Sequence, residues 1–242
     1  MKILSIDWDY FMNCSIGDRL TYFPDGGNEN IGIAMSNLIW SARYAFAKCT
    51  DFNLSSIKTR SSELDFIKKI VDKNKDRFCF ACADSHKHLG DFILDTSMEK
   101  KFSGGIEITN IDHHHDTYGY GTSVNCGNWL NKVIEKFPET SALWIGNEDS
   151  EQTSIKNVTY SSNIKDADKE YDIIYLCRSS VWSCPHLDKE FSALSRFISK
   201  RSIASILREE LPNRWDDDMK KAIDQQVEIN KNAMKKLVNR GE

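Results

Sequence analysis

Five short apolar runs, each leading into polar residues, constrain this 242-residue chain more than any other feature. They are KILSID (2–7), RFCFACAD (77–84), IEITNID (106–112), ALWIGN (142–147) and DIIYLC (172–177). Stretches with helical spacing lie between and after them. One spans 31–49 with Ile33, Leu38, Ile39 and Tyr44; another opens at Ser61-Ser62-Glu63 and carries Leu64, Ile67 and Ile70. Residues 125–136, 187–199 and 216–239 complete the set. Short apolar strands that alternate with helices form βα units, so the expected fold is α/β: a three-layer αβα sandwich around a mostly parallel sheet. The chain has no repeats, no low-complexity tract and only four prolines, so 1–242 reads as a single domain. Its C-terminal helix, 216–239, has a thin stripe of Met219, Ile223, Val227, Met234 and Leu237 expected to pack back onto that domain.

The residues just beyond each strand are more specific than the strands themselves. The first run leads into Asp7 and Asp9, the second into Asp84, His86 and His88, and the third into Asp112–Asp116. The fourth leads into Glu148 and Asp149, the fifth into Arg178, Ser179 and Ser180. Open α/β sheets bind ligands beyond the carboxyl ends of their strands, so this placement aims acids and imidazoles at one rim.

Several classes are excluded or disfavoured. A net charge of −4 offers no basic surface for nucleic acid. The N-terminus meets Asp7 before any long apolar segment and no window reaches 18 apolar residues, so neither a signal peptide nor a membrane span is expected. Seven cysteines make an odd set without paired spacing, which points to a reduced, cytoplasmic protein. Cys79 and Cys82 form a C-x-x-C, but inside an apolar run that reads as a buried strand.

Five of the six histidines fall in the two segments 86–88 and 113–115. Carboxylates gathered in a dry cleft are unfavourable unless a cation compensates them. Asp7, Asp9, Asp112 and Asp116, with His86 and His114, form an oxygen-rich set that suits Mn²⁺ before Zn²⁺, and four carboxylates carry enough charge for two ions. If 112–116 stays extended, Asp112, His114 and Asp116 share one face while His113 and His115 point elsewhere.

The run Asp112-His113-His114-His115-Asp116 reads D-x-H-x-D at a strand end, and it resembles the central motif of the arginase (ureohydrolase) superfamily. His86, in ADSHKH, looks like that family's first metal ligand. The family's S-x-D-x-D is similar to Ser5-Ile6-Asp7-Trp8-Asp9, here at the N-terminus instead of late in the chain, which implies an arginase-like fold with permuted strand order. ALWIGNED (142–149) and Cys126-Gly127-Asn128 are weaker matches to its I-G-x-x-D and S-G-N segments. A compact, permuted chain of this kind resembles the peptide arginases, which convert arginine residues of ribosomally made peptides to ornithine.

The resemblance implies two Mn²⁺ ions, one held by His86, Asp112, Asp116 and Asp7 and the other by His114, Asp112, Asp7 and Asp9. It implies a precursor peptide as substrate, with water attacking the guanidinium carbon to give urea and a primary amine. Asp116, His88, His115 and Glu148 are the candidate catalytic residues, and Glu148, Asp149, Asp84 and Asn128 the candidate substrate contacts. Two departures stand out. Where arginases place a proton-carrying histidine after S-G-N this chain has Trp129-Leu130, which leaves His88, His113, His115 or His186 for that role. DIIYLCRSS ends without an acid, so the guanidinium partner falls to Glu148, Asp149 or Asp84, or to Glu29 in GGNENIG.

Two other readings use the same residues. Asp112-His113-His114 also spells the motif of Mn²⁺-dependent DHH phosphoesterases, although their glycine-rich second domain has no counterpart here. Within the ureohydrolases, free arginine or agmatine is the alternative substrate.

Overall fold

Strands that are apolar along their whole length belong in the middle of a parallel sheet covered on both faces, and the computed structural model places the five runs there. It describes residues 1–23, 32–95, 105–151 and 154–238, so Glu29 lies outside the described residues. In chain order the elements are β1 (Lys2–Asp7), β2 (Met12–Asn13), α1 (Ile16–Tyr22), α2 (Gly32–Cys49), β3 (Lys58–Thr59), α3 (Ser61–Lys73), β4 (Cys79–Ala83), α4 (Lys87–Leu94), β5 (Glu107–Ile111), α5 (Trp129–Lys136), β6 (Ser141–Ile145), β7 (Val158–Ser161), β8 (Ile173–Cys177), α6 (Asp188–Ser199), β9 (Ala204–Arg208) and α7 (Asp217–Val238).

The chain divides into two compact units. The first comprises Met1–Phe11, Arg60–Ser179 and Glu190–Leu211. It holds a seven-stranded sheet of order β7-β6-β5-β1-β8-β4-β9, parallel at every pairing and flanked by helices, as a three-layer α/β sandwich requires. β1 is central. Its Ile6 pairs with Ile111 of β5 and its Asp7 with Cys177 of β8, which in turn pairs with Ala83 of β4. Matched registers therefore bring the carboxyl ends of β5, β1, β8 and β4 to one edge.

Strand alternation then sorts the side chains. Ile3, Ala81, Ala83, Ile106, Ile108, Tyr175 and Cys177 share a buried cluster with Leu89 and Ile93 of α4 and Trp129, Leu130 and Val133 of α5. Asp7 follows the parity of Ile3, so it leaves β1 on the face that α4 and α5 cover. Gly90 lets those helices approach: a Cβ there would meet Val124 Cγ1 at 2.7 Å and Trp129 Cβ at 2.8 Å. Truncating a buried residue such as Leu130 to alanine would remove about 2–5 kcal/mol of stability.

The second unit comprises Met12–Thr59, Ser180–Lys189 and Pro212–Glu242. Here Ser15 caps α1 by accepting from the Asp18 N–H at 3.1 Å, and β2 pairs antiparallel with β3. α7 packs along α2, burying Met219 and Ile223 and leaving Met234 exposed. The buried Arg214 pairs with Asp188 at 2.7 Å and donates to the carbonyl of Ser183, tying the 180–189 segment down. No helix among the described residues is long and apolar enough to cross a membrane.

Candidate metal centre

Six polar side chains from three strand ends converge in the first unit. Asp7 closes β1, and its Oδ1 accepts the backbone N–H of Asp9 at 2.9 Å, which turns the chain so that both carboxylates stay at the strand end. His86 stands directly before α4; its carbonyl accepts the Gly90 N–H at 3.1 Å and starts the helix, while its ring turns back to the sheet. Ser5 Oγ lies 2.8 Å from His86 Nε2, leaving Nδ1 3.2 Å from Asp7 Oδ2, 3.5 Å from Asp116 Oδ2 and 3.7 Å from Asp112 Oδ2. His114 Nδ1 lies 3.3 Å from Asp9 Oδ2 and 3.8 Å from Asp112 Oδ1. The two oxygens of Asp112 thus face different imidazoles.

The segment 112–116 reaches this arrangement without staying extended. His113 and His114 lie in a bend, the His114 N–H donates to Asp112 Oδ1 at 2.8 Å, and Asp116 has φ of 55°. The sequence expectation grouped Asp112, His114 and Asp116 through strand alternation; a turn groups them instead. Ser179 is also left-handed, with φ of 50°, and its hydroxyl donates to Asp7 Oδ2 at 2.5 Å. Backbone of this kind is unfavourable by about 1–3 kcal/mol per residue and persists where the surroundings over-determine it, often at functional sites.

The electrostatics suit a cation. Burial first, and the Asp9 charge second, pushes Asp7 up to about 6, against the pull of His86 and Ser179. Asp112 is raised well above the usual carboxylate range, again by burial first and then by Asp116, Asp7 and Asp9. Divalent metal relieves both causes at once, because it replaces lost hydration and offsets like charge. The donor atoms are close enough: those of Asp9, Asp112 and His114 lie within 4.8 Å of one another, as do those of His86, Asp112 and Asp116. A third group, Asp7, His86 and Cys177, meets the same limit. The centre is buried except at His114, whose side chain is 22% exposed.

The remaining sequence candidates are placed elsewhere. His88 is exposed in the first turn of α4. His115 is buried beside Tyr118 and Trp144, its Nδ1 accepts the Thr117 N–H at 3.1 Å, and burial lowers its pKa. An imidazole nitrogen that accepts a backbone N–H carries no proton there, which fixes the Nε2–H tautomer. His113 Nδ1 approaches Asn147 at 3.4 Å and Ser150 at 3.5 Å, linking the loops after β5 and β6. His186, in the second unit, bonds Tyr44 through Nδ1 and the Ile57 carbonyl through Nε2.

Among the acids, Asp84 already holds a guanidinium of its own chain, Arg178, at 2.8 Å. Glu148 is exposed and Asp149 half-buried in the loop after β6. Asn128 uses its amide within the loop before α5, accepting from Asn125 and donating to the carbonyls of Tyr120 and Ser123.

Sequence reasoning missed the residues that hold the ligands. Trp129 donates to Asp116 and stacks on His86, Trp144 donates to the Asp112 carbonyl at 3.0 Å, and Ser5 and Ser179 orient His86 and Asp7. Such outer partners fix ligand orientation and tune affinity.

Compared with family models, with curated proteins and with solved structures, the chain matches none of them. Fold and site alone define its class: a parallel α/β protein with a buried carboxylate–imidazole centre, able to hold a metal ion, at the carboxyl rim of its sheet.

Proposed function

We propose that this chain is an arginase-like hydrolase that removes the guanidinium group of arginine residues within a peptide, giving ornithine and urea, with a pair of divalent ions, manganese by donor type. One observation carries the reading: Asp112 faces His114 with one oxygen and His86 with the other, and it belongs both to a donor group with Asp9 and His114 and to one with His86 and Asp116. A carboxylate with donors on both sides is what a bridged metal pair needs. When bound, the pair would supply a water acidic enough to attack at neutral pH.

The chain's own residues do the rest. Ser5 and Trp129 fix His86 from its far nitrogen and its face, Trp129 and the left-handed backbone aim Asp116, and Ser179 aims Asp7. Burial excludes bulk water from all but the His114 side, where the guanidinium carbon approaches. Asn147 and Ser150 reach His113, so Glu148 and Asp149 lie in the loop that adjoins the D-H-H-H-D turn and can meet a cationic substrate there. Asp116 within the cluster supports guanidino chemistry over the phosphoesterase reading, whose Asp-His-His motif does not call for it. A peptide, in preference to free arginine or agmatine, follows from the resemblance to the compact peptide arginases.

The test is urea release by Mn²⁺-loaded protein from an arginyl peptide, from free arginine and from agmatine, with a dinucleotide as control. Urea from the peptide is expected. Phosphodiester cleavage without urea from any of the three contradicts the reading.

A further inference from the structure

Cys177 ends β8 with its Sγ within 4.8 Å of donor atoms of Asp7 and His86. The register explains the meeting. Cys177 is paired with Asp7 on one side and Ala83 on the other, so thiol and carboxylate leave neighbouring parallel strands on the same face. His86 lies three residues beyond Ala83. The thiol is fully buried, and Ser179 Oγ stands 3.2 Å from it while donating to Asp7. One strained serine thus touches both the sulfur and the carboxylate. On the other side of Asp112, the group of Asp9, Asp112 and His114 contains oxygen and nitrogen donors alone.

We propose that Cys177 is a thiolate donor of the metal centre, joining Asp7 and His86, so that the two metal positions are chemically unequal. The inference rests on the reading of the cluster as a paired metal centre. Thiolate favours softer ions, so the His86 position admits Zn²⁺, Co²⁺ or Fe²⁺ in place of Mn²⁺, while the His114 position, with carboxylate and imidazole donors, keeps the preference for Mn²⁺. The thiol proton passes to solvent as the sulfur ligates.

X-ray absorption at the zinc edge, on the full-length chain loaded with one equivalent of Zn²⁺, tests this. A sulfur scatterer at about 2.3 Å is expected beside nitrogen and oxygen at about 2.0–2.2 Å. The Cys177→Ser protein should lose the sulfur shell and keep the lighter one. If that variant fails to fold, Cys177→Ala removes the sulfur with no hydroxyl to bury, and the same readout applies. A sulfur-free shell in the wild-type protein, or a sulfur shell that survives the substitution, overturns the thiolate assignment and leaves the paired centre standing. Failure to retain zinc at all overturns both.

Discussion

Trp129 donates its indole N–H to Asp116 Oδ2 at 2.5 Å while its ring lies 5.4 Å from that of His86, nearly parallel at 12°. One side chain thus positions two candidate ligands. The position therefore serves orientation.

Trp129→Phe keeps an aromatic ring against His86 and removes the donor to Asp116. Metal affinity should fall by about 10- to 100-fold, as for other losses of a ligand's outer partner. Metal titration of the folded variant, with circular dichroism as the check on folding, measures it. Unchanged affinity would mean that Asp116 needs no anchor.

Raised carboxylates make the metal-free fold less stable as pH rises from acid to neutral. Asp7 is pushed from 3.8 to about 6, so its contribution to stability is full below about 3.8 and is lost as pH rises through about 6. Thermal melts of chelator-treated protein should therefore show a wild-type Tm that declines, relative to Asp7→Asn, between about pH 4 and pH 7. Added divalent metal should reverse the decline, because the deprotonated acids are the ligand form. A difference between the two proteins that is flat in pH would contradict the burial argument.

The three adjacent histidines should separate by function. His114→Ala removes a group 3.3 Å from Asp9 and should abolish turnover and the second equivalent of bound metal. His113→Ala loses long contacts to Asn147 and Ser150 and an edge contact with the His114 ring, and should keep both ions. Metal content by elemental analysis, alongside urea release, distinguishes them; equal loss from both variants would refute the division.

Glu148→Gln and Asp149→Asn test the substrate side. Losing a charged hydrogen bond to a guanidinium, about 1.5–3 kcal/mol, should raise KM by roughly 10- to 100-fold with metal content unchanged. Steady-state kinetics on an arginyl peptide would show it. If neither variant shifts KM, the loop after β6 does not hold the guanidinium.

The interior of the fold was legible because central parallel strands are apolar on both faces: KILSID and DIIYLC reveal themselves. The sheet edges were not. VTYS of β7 is half-buried and ASILR of β9 is mostly exposed, so neither shows the continuous burial that marked the others. The first unit closes around residues distant in sequence, and no composition shift marks its division from the second. The ligand set was legible because acids and histidines follow strands; its local geometry was not, since the positive φ of Asp116 and Ser179 leaves no trace in their identities. Cys177 escaped notice for the opposite reason: as the last residue of an apolar strand, it reads as core and also reaches the site.

The central claim is hydrolysis of a peptidyl guanidinium at this centre, and intact-mass measurement of the product tests it most directly. An arginine-containing precursor peptide incubated with the metal-loaded chain should lose about 42 Da per modified arginine, the change from guanidine to amine by attack of a metal-activated water. The Asp9→Ala protein should leave the mass unchanged. No mass loss from any arginyl peptide by protein shown to carry its metals would contradict the account.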